Sequence, residues 1–216
     1  MAELAIKQTP TEAMIASLSL PSGGWSDTAR KDALVRLQHM GLPQRRDEYW
    51  KYTRPDTLVQ TEPVPAALRG SDDVVLFDQI DRIKIVFVDG VYDADASDDL
   101  ALEGITIERL ADTPSDLHWA RDLYGTLEKK GQTPVARPLA ALNTAFAPDG
   151  MLIRVSGKPS KPVNFIYRRR TEIADAMLHH CIKLDAGAEM TLLENGPVAA
   201  RFNGVLEVDV GAQAAF

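Results

Sequence analysis

His179, His180 and Cys181 form the densest group of metal-binding and nucleophilic side chains in the sequence. They sit inside an apolar run, Met177 to Leu184, that reads as a strand. Side chains alternate along a strand, so His179 and Cys181 share one face and His180 points to the other. An imidazole and a thiolate are two of the roughly four ligands that zinc or iron takes, and no neighbouring residue supplies the rest. The competing reading is a small buried cysteine flanked by surface histidines. His179 and Cys181 are therefore weak metal candidates, and no metal is assigned. His39 and His118 fall in helical stretches with no nucleophile in sequence range. Asp93, Asp95, Asp98 and Asp99 tempt a calcium reading, but the glycine and terminal glutamate of an EF-hand loop are missing, so a solvated loop is expected. No GxSxG, GxxxxGK[ST] or strand-borne GxGxxG pattern occurs, so nothing here requires an enzyme.

A second group mixes three aromatics with five charges, from Gln44 to Thr53. Arginine and amphipathic aromatics dominate protein interfaces, so Arg45, Arg46, Tyr49, Trp50, Lys51 and Tyr52 are interaction candidates. The structural alternative has Trp50 and Tyr49 pinning a helical segment onto the β-rich part.

The elements that must position these residues are partly readable. Thr9 and Glu12 have capping-box spacing with Pro10 between them, which predicts a helix ending before Pro21. Ser26 is expected to cap a second helix with an Ala33, Leu34, Leu37 and Met40 stripe, an Asp32–Arg36 pair and a stop at Gly41. Residues 61–73, rich in Pro, Gly and small side chains, read as a linker. Strands are predicted from Ile83 and at Ile105–Leu110, and helices from Ser115 to Leu127 and from Leu139 to Phe146. Beyond Pro148, apolar runs recur about every dozen residues, at Met151–Val155, Val163–Tyr167, Met177–Leu184, Met190–Leu193 and Val205–Val210. The division is thus 1–147, helical and mixed, and 148–216, β-rich. Spacing alone fits a sandwich or a parallel solenoid. A strand run that stops at Phe216 without a closing element suggests a truncated stack, prone to self-association through its open end.

One cysteine in 216 residues permits no intrachain disulfide and is too few for a resident iron–sulfur cluster. The formal charge of −7 is concentrated in residues 71–116, and no basic stripe with interleaved aromatics replaces it except the short Arg45–Tyr52 stretch, which argues against nucleic acid. With no leader pattern and no run of about 18 uncharged apolar residues, a cytoplasmic protein without a membrane span is expected.

The segment from Gly41 to Thr53, GLPQRRDEYWKYT, resembles the "LP.RR.E.WKYT" element of the SufB/SufD family of iron–sulfur cluster assembly proteins, SufD above all. The likeness continues in VFVDGVY from Val86, PLAALNTAF from Pro138 with Gly150 and Met151–Val155, KPVNFIY from Lys161 and EMTLLE from Glu189. Several segments agree in order over most of the chain, which makes the resemblance specific. It implies an α+β to mainly β fold: a helical and mixed N-terminal region followed by the first coils of a right-handed parallel β-helix. It also implies a non-catalytic SufD-like subunit of the SufBCD scaffold, with SufB-like and SufC-like partners or a second copy of itself, and ATPase activity in the SufC partner. The cluster would be transient cargo of the full complex, with no cofactor held by this chain. In the family, SufC binding and cluster formation belong to later segments, so no ligand or catalytic role is carried onto these residues. A β-helix enzyme acting on a polysaccharide-like polymer is the alternative.

Overall fold

Thr9 opens the chain's first helix, α1 (Pro10–Ser17), through the reciprocal pair that its spacing predicts. The Thr9 hydroxyl accepts the Glu12 N–H at 3.2 Å, and the Glu12 carboxylate accepts the Thr9 N–H at 2.7 Å. The computed structural model describes residues 9–68, 76–112 and 118–216. Helix α2 (Asp27–Met40) ends at Gly41, whose positive φ of 71° allows its N–H to close on the Leu37 carbonyl. Two expectations for α2 fail. Ser26 makes no side-chain cap, because its hydroxyl accepts the Arg30 Nε–H at 2.9 Å. Arg36 turns from Asp32 to Glu128, a partner far away in sequence whose buried carboxylate needs a cation.

Residues 61–68 are without helix or strand, and residues 69–73 of the stretch expected to be a linker lie outside the described residues. β1 (Ile83–Val88) and β2 (Val91–Asp93) then form a hairpin. Its two turn residues, Asp89 and Gly90, both have positive φ, as a tight two-residue hairpin demands. A Cβ on Gly90 would also lie 2.4 Å from that of Ala176. β3 (Ile105–Arg109) follows. The acidic loop between β2 and β3 spends carboxylates on backbone amides: Asp98 accepts the Lys84 N–H at 2.8 Å and Asp99 the Ala101 N–H at 3.0 Å.

The helix expected to start at Ser115 is not continuous to Leu127. Ser115 lies outside the described residues, and the observed cap is His118, whose Nδ1 accepts the Ala120 N–H at the head of a 3-10 turn, Trp119–Asp122. Gly125, at φ 72°, breaks the path before α3 (Thr126–Lys130). Helix α4 (Pro138–Phe146) starts one residue before the expected Leu139, with proline at its first position, where a missing N–H costs nothing.

The remaining strands are β4 (Met151–Val155), β5 (Val163–Arg168), β6 (Asp175–Leu184), β7 (Leu192–Asn195) and β8 (Arg201–Val210). They complete two four-stranded sheets, ordered β2-β1-β5-β7 and β3-β4-β6-β8. From β4 onward the chain passes from one sheet to the other at every step, and each of β6, β7 and β8 pairs in parallel with the strand two before it. The sheets are mixed rather than purely parallel, because β2 and β3 pair antiparallel with β1 and β4. The architecture is thus mixed α/β: two mixed sheets and four α-helices among the described residues. Ile85, Phe87, Ile153, Phe165, Leu178 and Ile182, all fully buried, fill the space between the sheets.

The opposite face of the β3-β4-β6-β8 sheet carries the helices. Leu152 and Cys181 pack there under Trp25, Leu123 and Tyr124. Ala33 and Leu37 of α2 meet Ala141, Leu142, Ala145 and Phe146 of α4. The buried Asn143 amide of α4 donates to the Leu178 carbonyl at 3.0 Å and the Asn203 carbonyl at 2.8 Å, fixing α4 over β6 and β8. No helix among the described residues is long and apolar enough to cross a membrane.

Candidate functional site

Alternation along β6 sends His179 and Cys181 to the helix-covered side and His180 into the space between the sheets, as the sequence predicts. The expected surface position of the histidines is not what forms: His179 is fully buried and His180 is 3 % exposed. The cause is tertiary, since helices cover one face of β6 and the second sheet covers the other. Gly150 is required beside them. A Cβ there would fall 1.8 Å from the His179 carbonyl oxygen, so any other residue would push β4 away from β6.

His180 lies 4.6 Å, ring to ring, from Phe165 and 5.8 Å from Phe87. Its Nδ1 accepts the Met151 N–H at 2.9 Å, which leaves the proton on Nε2, 3.4 Å from the Tyr167 hydroxyl. Tyr167 in turn donates to Glu194 at 2.9 Å. Burial lowers the His180 pKa to about 3, so this imidazole is neutral.

On the other face His179 stacks on Tyr124, with ring centroids 4.0 Å apart. Its Nε2 donates to Glu207 Oε2 at 2.9 Å, while Nδ1 is buried without a hydrogen-bond partner in the protein. Burial pulls the His179 pKa down and outweighs the opposing pull of Glu207. The Cys181 Sγ lies 4.0 Å from the same Oε2, and burial pushes its thiol well above the usual range. Glu207, 2 % exposed, reaches this spot because β6 and β8 are parallel with Cys181 opposite Glu207. Its carboxylate also accepts the Gly125 N–H and, at 2.8 Å, the Glu128 N–H, so it caps α3 from across the fold.

Tyr124 closes the cluster. Its hydroxyl donates to the Thr144 carbonyl at 2.8 Å, the Arg30 guanidinium sits 5.2 Å from its ring, and burial raises its pKa. Arg30 is held by the Ala145 and Ala147 carbonyls of the α4 end. His179, Cys181 and Glu207 thus bring one nitrogen, one sulfur and one oxygen ligand atom within 4.8 Å of one another. Among the described residues, no other group of three His, Cys, Asp or Glu side chains meets that spacing. The donor set suits a borderline-soft divalent ion.

Sequence reasoning found His179 and Cys181 and missed Glu207, Tyr124 and Arg30. A signal for Glu207 existed: it is one of two acids, with Asp209, inside the apolar run Val205–Val210, and it follows Cys181 by 26 residues, about two of the dozen-residue strand steps.

The interaction candidates lie elsewhere. Arg45, Arg46, Tyr49, Lys51 and Tyr52 are exposed and Trp50 is half-buried, around a 3-10 turn at Glu48–Trp50. Tyr49 is 65 % and Tyr52 91 % exposed, so neither pins one part of the fold to another. Of the other histidines, His39 is exposed and His118 pairs with Glu108 at 3.0 Å. Comparison with protein-family models and with curated proteins finds no match to this chain.

Proposed function

We propose that this chain is a SufD-like subunit of an iron–sulfur cluster assembly scaffold, non-catalytic and working through its surfaces beside SufB-like and SufC-like partners in the cytoplasm. On this reading β4 to β8 are the first coils of a right-handed parallel β-helix, and the cluster is cargo of the complex.

The observation that carries the reading is the strand order. Five consecutive strands alternate between two sheets, and the last three each lie parallel to the strand two earlier. Stacked coils produce that pattern, whereas Greek-key sandwiches are built from antiparallel neighbours. The family-like residues also fall at structural positions: DG makes the β1–β2 turn, PLAALNTAF is α4, and Phe165 and Tyr167 of KPVNFIY, in β5, face the space between the sheets. The family-like GLPQRRDEYWKYT segment presents exposed arginine and tyrosine, which suits contact with another protein rather than internal packing.

Co-expression with SufB-like and SufC-like subunits, followed by size-exclusion chromatography, tests this. The expected result is co-elution of all three chains. Exchange of Tyr49 and Tyr52 for alanine should weaken the association without changing the circular dichroism spectrum. Elution of this chain alone, while the other two associate, would overturn the assignment.

A further inference from the structure

We propose that His179, Cys181 and Glu207 constitute a binding site for one divalent transition-metal ion of the zinc and cobalt type, held through Nε2, Sγ and Oε2. The inference is independent of the assembly role argued above.

Geometry supplies the first support. The Nε2 to Oε2 separation is 2.9 Å and the Sγ to Oε2 separation is 4.0 Å. Tetrahedral zinc, with bonds of about 2.0–2.3 Å, spaces its ligands about 3.3–3.7 Å apart. All three atoms lie within 4.8 Å of one another, so side-chain shifts of about an ångström, chiefly bringing the sulfur toward the imidazole, convert the hydrogen-bonded cluster into a coordination triangle.

Charge is the second. A dication bound by one thiolate, one carboxylate and one neutral imidazole gives a site of zero net charge, which is what an interior with fully buried walls tolerates best. The proton balance is simple. The carboxylate is already anionic, the Cys181 thiol gives up one proton to solvent as the metal–sulfur bond forms, and the His179 proton moves from Nε2 to Nδ1. That nitrogen is buried with no hydrogen-bond partner in the protein, so the moved proton becomes an unpaired donor whose cost the metal–ligand bonds must outweigh. Thiolate and imidazole together select zinc or cobalt over magnesium and calcium.

Access is the third. An open groove of about 520 Å³ lies between α2 and residues 121–130, and Tyr124 and Gly125 belong to its lining. The same two residues touch the cluster from within, Tyr124 through its ring on His179 and Gly125 through its N–H on Glu207. When a metal takes Oε2, the Gly125 N–H loses its acceptor while Glu128 keeps hold of Oε1, so the carboxylate stays oriented as the α3 start is released.

The chain has one cysteine, which makes the test specific. Chelator-treated protein is titrated with cobalt(II) chloride and followed by absorbance. A sulfur-to-cobalt charge-transfer band that saturates at one equivalent, is displaced by zinc(II), and vanishes in Cys181→Ser is expected; zinc should also raise the thermal midpoint of wild type and not of Cys181→Ser. Because serine is nearly isosteric with cysteine, this variant keeps the fold, which circular dichroism checks. Should Cys181→Ser not fold, Cys181→Ala, which removes the sulfur without adding a buried hydroxyl, still decides the matter. Folded wild-type protein that gives no thiolate band, or zinc stabilisation that survives in Cys181→Ser, would overturn the site and leave Glu207 as a helix cap alone.

Discussion

The two faces of β6 bury imidazoles one residue apart, and they do it by opposite means. His180 enters an aromatic interior between the sheets, where a backbone N–H takes its lone pair and tyrosine and phenylalanine rings take its faces. Nothing charged touches that ring directly. His179 faces a layer where ionisable groups crowd: Glu207 on its Nε2, Cys181 beside the same oxygen, Arg30 over the tyrosine on which it stacks, and the Arg36–Glu128 pair on α2 and α3. An apolar interior holds its strands by area removed from water, whatever the residues' exact identity. A polar one depends on each partner being present, because an unpaired buried donor or charge costs more than the made bond contributes. The helix-covered side should therefore be brittle and specific, and the inter-sheet side robust until protons intrude.

The sharpest way to break the comparison is Glu207→Ala. It strands the Gly125 and Glu128 N–H groups and the His179 Nε2–H together. Each buried donor left unpaired costs about 1–3 kcal/mol, so the three together give an expected loss of about 3–5 kcal/mol or more, read as a fall in the urea midpoint. Exchange of one aliphatic residue for another between the sheets, Ile153→Val, should cost about 1 kcal/mol. Equal losses for the two variants would remove the distinction.

The next effect is set by acid. The folded pKa of His180 is about 3, against 6.5 for an ordinary histidine. Between those values the unfolded chain binds a proton that the folded protein refuses, so stability falls as pH drops below about 6.5 and keeps falling toward 3. At about 1.4 kcal/mol per unit, the loss between pH 6.5 and 4 is about 3 kcal/mol from this group. His179, whose pKa is also lowered, adds in the same direction. Urea midpoints measured across that range should decline more steeply for wild type than for His180→Phe. Parallel curves would mean that the inter-sheet interior admits the proton.

The same contrast explains what the sequence revealed. The α1 cap was legible because both partners lie within three residues. The opposite orientations of His179 and His180 were legible because alternation is a local property of strands. The switch of Arg36 from Asp32 to Glu128 was not, nor was the arrival of Glu207 at Cys181, since each needs elements about 26 to 92 residues apart to be docked first. The expectation of surface histidines failed for that reason too: periodicity tells which way a side chain points, and only tertiary packing tells what lies there.

The smallest expected effect discriminates most finely, since it compares two tyrosines that each lose one hydroxyl. Tyr124→Phe leaves the Thr144 carbonyl without the partner it has at 2.8 Å, in a buried setting beside His179 and Arg30. An unsatisfied buried acceptor costs about 1–3 kcal/mol, so a loss near 1.5 is expected. Tyr167→Phe removes a bond to Glu194, whose carboxylate is exposed and recovers water. Its contact with His180 Nε2, at 3.4 Å, is too long to be worth much. The loss there should be about 0.5 kcal/mol, measured by the same urea titrations. A larger cost for Tyr167→Phe than for Tyr124→Phe would invert the assignment: the space between the sheets would then depend on its one polar chain, His180 to Tyr167 to Glu194, more than the helix-covered side depends on its crowd.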